Sequence, residues 1–413
     1  MNQAAAAVSE KRQWDRLMAM ARLGAIPGDG VNRACLTDLD RQARRLLVGW
    51  ASEIGATVSL DAAANLWLRR EGSDPRSAPV VTGSHMDTQP NGGRFDGIYG
   101  VIAGLEALAA LHDAGTTLRR PVEVVAWTNE EGGRFAPGCM GSMAWSGFRG
   151  IEEFAGVADP DGVRFADALA AHLASEADLP RRPLGGQPHA YVEAHIEQGP
   201  RLEADGLDIG VVTGIQGSRW FTVTLTGDTA HAGTTPLALR RDAVQDMLRA
   251  IAALNGLMHD PHDVLRFTVG RIVVEPNTSN SVANRASFTI DFRHPDKDVL
   301  LARGDAVAGV VQAAVRDAGV TVRETFHALP VEFSPQVIDA VERAATDQHC
   351  SHIRMPSGAF HDAQFVVPVC PTGMIFVPCR KGISHNPAEY SEPGQLAAGT
   401  RVLTQTLTAL ADT

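Results

Sequence analysis

Two apolar runs, Val80 to Gly83 and Val122 to Trp127, flank an Ala- and Leu-rich stretch from Gly100 to His112. Nothing else in the chain limits its fold as strongly. Short runs bounded by turn residues read as buried strands, and the longer stretch reads as a helix. Strand, helix, strand at this spacing predicts a parallel α/β sheet. Ala56 to Leu60 reads as a further buried strand. Near the start, Trp14, Leu17, Met18 and Ala21 recur at helical spacing after a Ser9 cap. Ligands of such sheets gather beyond the carboxyl ends of the strands. The residues after Gly83 and after Trp127 are therefore the place to look for chemistry.

The middle of the chain has another rhythm. Trp220 to Thr226 alternates as a strand, and Asp242 to Leu257 has helical spacing. Arg266 to Val274 and Ala286 to Phe292 read as strands, Asp296 to Ala318 as a helix, and Val320 to Thr325 as a last strand. That order is ferredoxin-like and has the size of a small domain. Gly210 and Gly214 on one side, and Pro330 and Pro335 on the other, mark the two crossings of a hinge. The α/β pattern then resumes, with Gln336 to Asp347 as helix and Thr372 to Val377 as strand. The expected architecture is a discontinuous α/β domain, residues 1–213 and 331–413, with an inserted α+β domain at 214–330.

Composition excludes several classes of function. The 413 residues carry a net charge of −11, against the basic face that nucleic acid demands. The best apolar stretch, Val101 to Leu111, is broken by Glu106 and is too short to span a membrane. Met1-Asn2-Gln3-Ala4 has no basic start or long apolar segment of a signal peptide. Five scattered cysteines do not make a disulfide framework. A reduced, cytoplasmic protein is expected.

Strand Val80–Gly83 leads into Ser84-His85-Met86-Asp87-Thr88, and Asp96 follows in Gly93-Arg94-Phe95-Asp96-Gly97. Strand Val122–Trp127 leads into Thr128-Asn129-Glu130-Glu131-Gly132. Imidazole and carboxylate suit a borderline divalent metal such as zinc. Adjacent carboxylates at a strand end point apart, so one can bind metal while the other serves as general base. His195 in Glu193-Ala194-His195-Ile196-Glu197-Gln198 and His385 in Ser384-His385-Asn386-Pro387 are further candidates.

These segments, with His231-Ala232-Gly233-Thr234-Thr235-Pro236 and Ser384-His385-Asn386-Pro387-Ala388-Glu389, resemble the carbamoylase/allantoate amidohydrolase branch of the dinuclear zinc metallopeptidase superfamily. The resemblance spans about residues 10 to 410. It implies a metallopeptidase-like catalytic domain with a ferredoxin-like lid and dimerisation domain, and two divalent metal ions per subunit. His85, Asp96 and His195 would surround one ion, and Asp96, Glu131 and His385 the other. Asp96 would bridge them and Asp87 would orient His85. Zn²⁺ is the expected metal, with Mn²⁺, Co²⁺ or Ni²⁺ as alternatives.

The implied reaction is hydrolysis of the linear ureido amide of an N-carbamoyl-L-amino acid, giving amino acid, ammonia and carbon dioxide. Allantoate and 3-ureidopropionate are the alternative substrates. Glu130 would be the general base and His231 would support charge on the carbonyl oxygen. Asn280 and Arg293 would clamp the substrate carboxylate, with Gln198, Gln216 and Arg219 as further polar contacts. A homodimer formed through the inserted domain and a lid motion are implied as well. Three departures from the branch bear on substrate: Ser218 and Trp220 beside Arg219, Ala283-Asn284, and Phe360 in Ser357-Gly358-Ala359-Phe360-His361-Asp362. Cys139 raises a thiol-amidase alternative, but no nucleophile motif surrounds it.

Overall fold

A computed structural model describes residues 2–413. Apart from two-residue ladders, the strands before the insertion are β1 (Thr57–Leu60), β2 (Leu66–Arg70), β3 (Val80–His85), β4 (Val122–Trp127), β5 (Ala190–Ile196) and β6 (Ile209–Ile215). The inserted segment supplies β7 (Gly217–Thr226), β8 (Arg266–Glu275), β9 (Arg285–His294) and β10 (Gly319–Ala328). After it come β11 (His352–Ser357) and β12 (Thr372–Val377). The chain divides into two compact units, Met1–Thr213 with Glu332–Thr413, and Gly214–Val331. Gly214 lies inside β6, so the chain leaves the first unit along a strand rather than through a loop.

In the larger unit the strands run β6-β12-β5-β3-β4-β2-β1, and β11 also pairs with β6. β3 lies between parallel neighbours β4 and β5, and β12 runs parallel to β5. Every residue of β3, β4, β5 and β12 is buried. That is why β4, β12 and the start of β3 read as largely apolar runs. Helix Ile98–Asp113 packs on them and is buried over nearly its whole surface. Its one interior charge, Glu106, accepts from the Ser9 amide and pairs with Arg12 at 2.7 Å. The apolar run is broken there because the break is where helix Glu10–Ala21 docks. Ser9 caps that helix as expected, its hydroxyl accepting from the Arg12 amide.

Three differences from the sequence reading are informative. β1 is only partly buried, because it is the outer strand of an antiparallel edge. β3 continues through His85, so this imidazole is held by the sheet itself. β2 and β5 were not marked as strands by the sequence, although β5 carries His195. Charged and polar groups interrupt its apolar pattern.

The inserted unit is a four-stranded antiparallel sheet in the order β8-β9-β7-β10. Two helices, Ala243–Leu257 and Lys297–Ala314, cover it. Asp242 and Asp296 turn out to be caps, each side chain accepting from two backbone amides of the first turn. Alternate residues Phe221, Val223 and Leu225, and Ala286, Phe288, Ile290 and Phe292, face the helices and build the core. The second helix stops short of Ala318 for a physical reason. The carboxylate of buried Asp246 accepts from the amides of Arg316, Asp317 and Ala318, drawing them out of helical register.

Among the described residues no helix is long and apolar enough to cross a membrane, and all five cysteines are free.

Candidate metal centre

The parallel sheet brings the strand ends together. β3 ends at His85, which is level with Trp127 on β4, so the Asn129-Glu130-Glu131 turn lies just beyond it. His195 stands near the end of β5, and Asp96 ends the loop before helix Ile98–Asp113. Between Asp96 and that helix, Gly97 takes a φ of 66°, and a Cβ there would meet the His85 ring at 2.2–2.4 Å. Only glycine lets the imidazole lie over this turn.

Asp96 is the centre of the cluster. Its Oδ1 lies 3.2 Å from His195 Nε2 and 3.7 Å from His85 Nε2, and its Oδ2 lies 3.4 Å from His385 Nε2. His385 Nε2 is also 3.4 Å from Glu131 Oε2. His85, Asp96 and His195 form one triad, and Asp96, Glu131 and His385 another, with the ligand atoms of each within 4.8 Å of one another. Both buried imidazoles place Nδ1 2.9 Å from a main-chain carbonyl, of Asp87 for His85 and of Ile196 for His195. With Nδ1 engaged by the main chain, Nε2 of each ring faces Asp96 and is the nitrogen a cation would meet once its proton is given up.

The electrostatics ask for positive charge. Burial and the repulsion of Asp96 push Glu131 up to about 8. Burial, with repulsion from Asp362, pushes Glu130 well above the usual carboxylate range. His195 is raised to about 9: burial opposes its charge, but the hydrogen bond to Asp96 outweighs it. Burial, and the other imidazoles, hold His85 down at about 4. Carboxyls crowded this closely in a buried site favour a cation among them. The donors, imidazole and carboxylate, fit a divalent metal.

The two adjacent glutamates diverge as the chemistry needs. Glu130 Oε2 faces His85 Nε2 at 3.4 Å, while Glu131 turns to His385 and accepts from the amide and side chain of Gln89 at 3.1 and 2.8 Å. Asp87 does something the sequence did not suggest. Its carboxylate is 3.9 Å from His85 Nδ1, and it accepts instead from the amides of Glu130 and Glu131, both at 3.2 Å. Gln198 Nε2 and Ser384 Oγ both donate to Asp96 Oδ2, at 2.9 and 2.8 Å. Gln198 thus holds a ligand. His361, which the sequence reading passed over, is buried with its ring centroid 4.5 Å from that of His195. Half-buried Phe360 directly precedes it. Cys139 has its sulfur 3.6 Å from Glu130 Oε1, and burial pushes the thiol well up, the opposite of what a nucleophile needs.

The remaining candidates belong to the inserted unit. His231 is exposed, and its Nδ1 accepts from the amides of Gly233 and Thr234, so Nε2 carries the proton and points out as a donor. Its two-residue ladder pairs His231 with Ser281, and the carbonyl of exposed Asn280 accepts from the Ala232 amide. His231 and Asn280 are thereby neighbours. The Arg293 fork lies on Asp291, with Nη2 2.9 Å from Oδ2. Arg219 is buried, its guanidinium held by Glu324, Asp305 and the Leu301 carbonyl. Gln216 is buried between β6 and β7.

The model of peptidase family M20/M25/M40 matches residues 81–409. The chain is 39% identical to the N-carbamoyl-L-amino-acid amidohydrolase of Rhizobium meliloti, covering 96% of this chain and 95% of that one. It is 33% identical to the allantoate amidohydrolase of Bacillus subtilis, covering 96% and 97%. A solved structure of an amidase of the hydantoinase/carbamoylase family from Burkholderia multivorans superposes with a TM-score of 0.90 at 44% identity, covering 98% of each chain.

Proposed function

Because the chain belongs to peptidase family M20/M25/M40 and its relatives are amidohydrolases of linear amides, we propose that it hydrolyses the ureido group of an N-carbamoyl-L-amino acid, with a pair of divalent cations as cofactor. The observation that carries this reading is the pair of ligand triads sharing Asp96, with Glu130 left over as an unshared carboxyl at their edge. His85, Asp96 and His195 would hold one cation, and Asp96, Glu131 and His385 the other. Zn²⁺ heads the candidates, with Mn²⁺, Co²⁺ and Ni²⁺ behind it. Divalent cations held there supply Lewis acidity, polarising a carbonyl and making water nucleophilic near neutral pH.

The chain's own residues do the rest. Glu130 takes a proton from the attacking water and returns it to the departing nitrogen. Asp87 fixes the backbone of the Glu130-Glu131 turn. The Nε2–H of His231 supports negative charge on the carbonyl oxygen, and Arg293 and Asn280 hold the substrate carboxylate. Gln198 and Gln216 are polar neighbours of the substrate. Arg219, engaged by two acids, orders its strand rather than meeting substrate directly. The inserted unit acts as a lid and pairs two subunits through edge strand β8, where Ile272 is 53% exposed. The enzyme works in the cytoplasm.

Ammonia release by metal-reconstituted protein tests this reading. The panel holds several N-carbamoyl-L-amino acids, one D-enantiomer, 3-ureidopropionate and allantoate, with a chelated control. Chelator-sensitive turnover of the carbamoyl amino acids is the expected result. Turnover of allantoate alone would transfer the assignment to the activity named for the B. subtilis relative. Silence across the panel would refute it.

A further inference from the structure

Glu389 lies in the last of the segments singled out by the sequence, and no role has been assigned to it. It is 1% exposed. Its Oε1 accepts from the amides of Phe95 and Asp96, at 2.8 and 3.0 Å. Its Oε2 lies 3.2 Å from Ser384 Oγ, the hydroxyl that donates to Asp96 Oδ2 at 2.8 Å. The Glu389 amide in turn donates to the Asn386 carbonyl at 3.0 Å, closing the turn that presents His385.

One side chain thus grips the turn of Asp96 by its backbone and the loop of His385 by its serine. These two segments are almost 300 residues apart in the chain, and between them they carry two of the three ligands of the second triad. The turn is also shaped to receive it: a Cβ on Gly93 would stand 2.2 Å from the Glu389 carboxyl and 2.5 Å from its Cβ. The arrangement repeats that of Asp87, which accepts from two successive amides of the turn carrying Glu131. Each of these two ligand turns therefore has its own buried acceptor.

We propose that Glu389 is a positioning residue that sets the distance between Asp96 and His385, and so the affinity of the Asp96–Glu131–His385 triad for its cation. The inference rests on the metal-dependent reading above. Partners of metal ligands of this kind alter metal affinity or activity by about 10–100-fold. Toward the two backbone amides the carboxyl is an acceptor, and an amide of the same shape supplies that oxygen. In Glu389→Gln the carbonyl oxygen still accepts from both amides, while the NH₂ meets Ser384 Oγ as the hydroxyl proton stays on Asp96.

The test compares the full-length wild-type protein with Glu389→Ala, Glu389→Gln and Gly93→Ala. Zinc stoichiometry is measured by plasma mass spectrometry after gel filtration, and zinc affinity by competition with a chromophoric chelator. Thermal melting of the metal-free proteins and kcat and KM on the best substrate complete the set. Expected are two zinc ions in the wild type, and in Glu389→Ala one retained and one weakened by about 10–100-fold. kcat should fall while KM moves little, and Glu389→Gln should recover both metal and kcat to within about threefold. Gly93→Ala, which keeps Glu389 but displaces its carboxyl, should follow Glu389→Ala. Equal weakening of both ions, or a glutamine variant as impaired as alanine, overturns the proposal. So do unchanged zinc affinities in an alanine variant that melts like the wild type. If the alanine variant does not fold, the glutamine and Gly93 variants decide. A wild type that binds no divalent ion refutes the functional reading itself, and this inference with it.

Discussion

Replacing Asp87 by asparagine separates two accounts of how the strand end is built. Its carboxylate accepts from the Glu130 and Glu131 amides, both at 3.2 Å, and is 4% exposed. An asparagine keeps one acceptor oxygen but turns an NH₂ toward the second amide, leaving that buried donor unpaired. A buried donor without a partner costs about 1–3 kcal/mol, and a central value of about 2 kcal/mol corresponds to roughly thirtyfold in an equilibrium or rate constant. The loss falls on the turn that carries Glu130 and Glu131. His85 is spared, because its Nδ1 is held by the main-chain carbonyl of residue 87, which every substitution retains. Asp87→Asn should therefore lower kcat/KM by roughly thirtyfold and weaken the ion of the Asp96–Glu131–His385 triad, leaving the ion of the His85–Asp96–His195 triad in place. Zinc stoichiometry and competition titration, read beside His85→Ala and Glu131→Ala controls, assign which ion is lost. Loss of the His85 ion with the other retained would show that the carboxylate works on the imidazole ring and that the backbone reasoning is wrong.

Three other outcomes are expected. Glu130→Gln should retain full metal content while kcat falls by about 10²–10⁴-fold, the range for removing a general base; metal loss in this variant would exchange the roles of Glu130 and Glu131. Arg293→Lys keeps the charge but gives up one arm of a fork, so KM for carboxylate substrates should rise about tenfold with kcat little changed, as initial-rate kinetics would show. His172 is buried with Nε2 unpartnered, and burial, reinforced by Arg44, lowers it to about 4. The unfolded chain therefore takes up this proton more readily than the folded one, so stability falls as pH drops from about 6.5 to about 4, by at most roughly 3 kcal/mol. His172→Gln should flatten that limb in denaturant titrations of the metal-free protein, and an unchanged limb would remove His172 as its cause.

The outline of the molecule was legible because its signals are local. The runs Val122–Trp127 and Thr372–Val377 became strands over those very residues, and the βαββαβ order of the insertion held, its helices shortened at caps. β5 escaped notice because Glu193 and His195 break its apolar pattern. Both are buried, and Glu193 accepts from Ser84, Tyr191 and the Ala363 amide, partners that no spacing rule reveals. Arg293 and Arg219 were both expected to meet substrate, yet only the folded unit set Arg219 between Glu324 on β10 and Asp305 on the second helix.

By itself the sequence determined which residues have ligand chemistry and that parallel strand ends gather them, since donor type and hydrophobic period are properties of short segments. The tertiary structure alone decided who holds whom: Asp87 on the Glu130-Glu131 amides, Glu389 on those of Phe95 and Asp96, His361 against His195. A hydrogen bond is won or lost within a few tenths of an ångström. Those distances are set by how distant segments pack, which the order of residues along one segment does not contain.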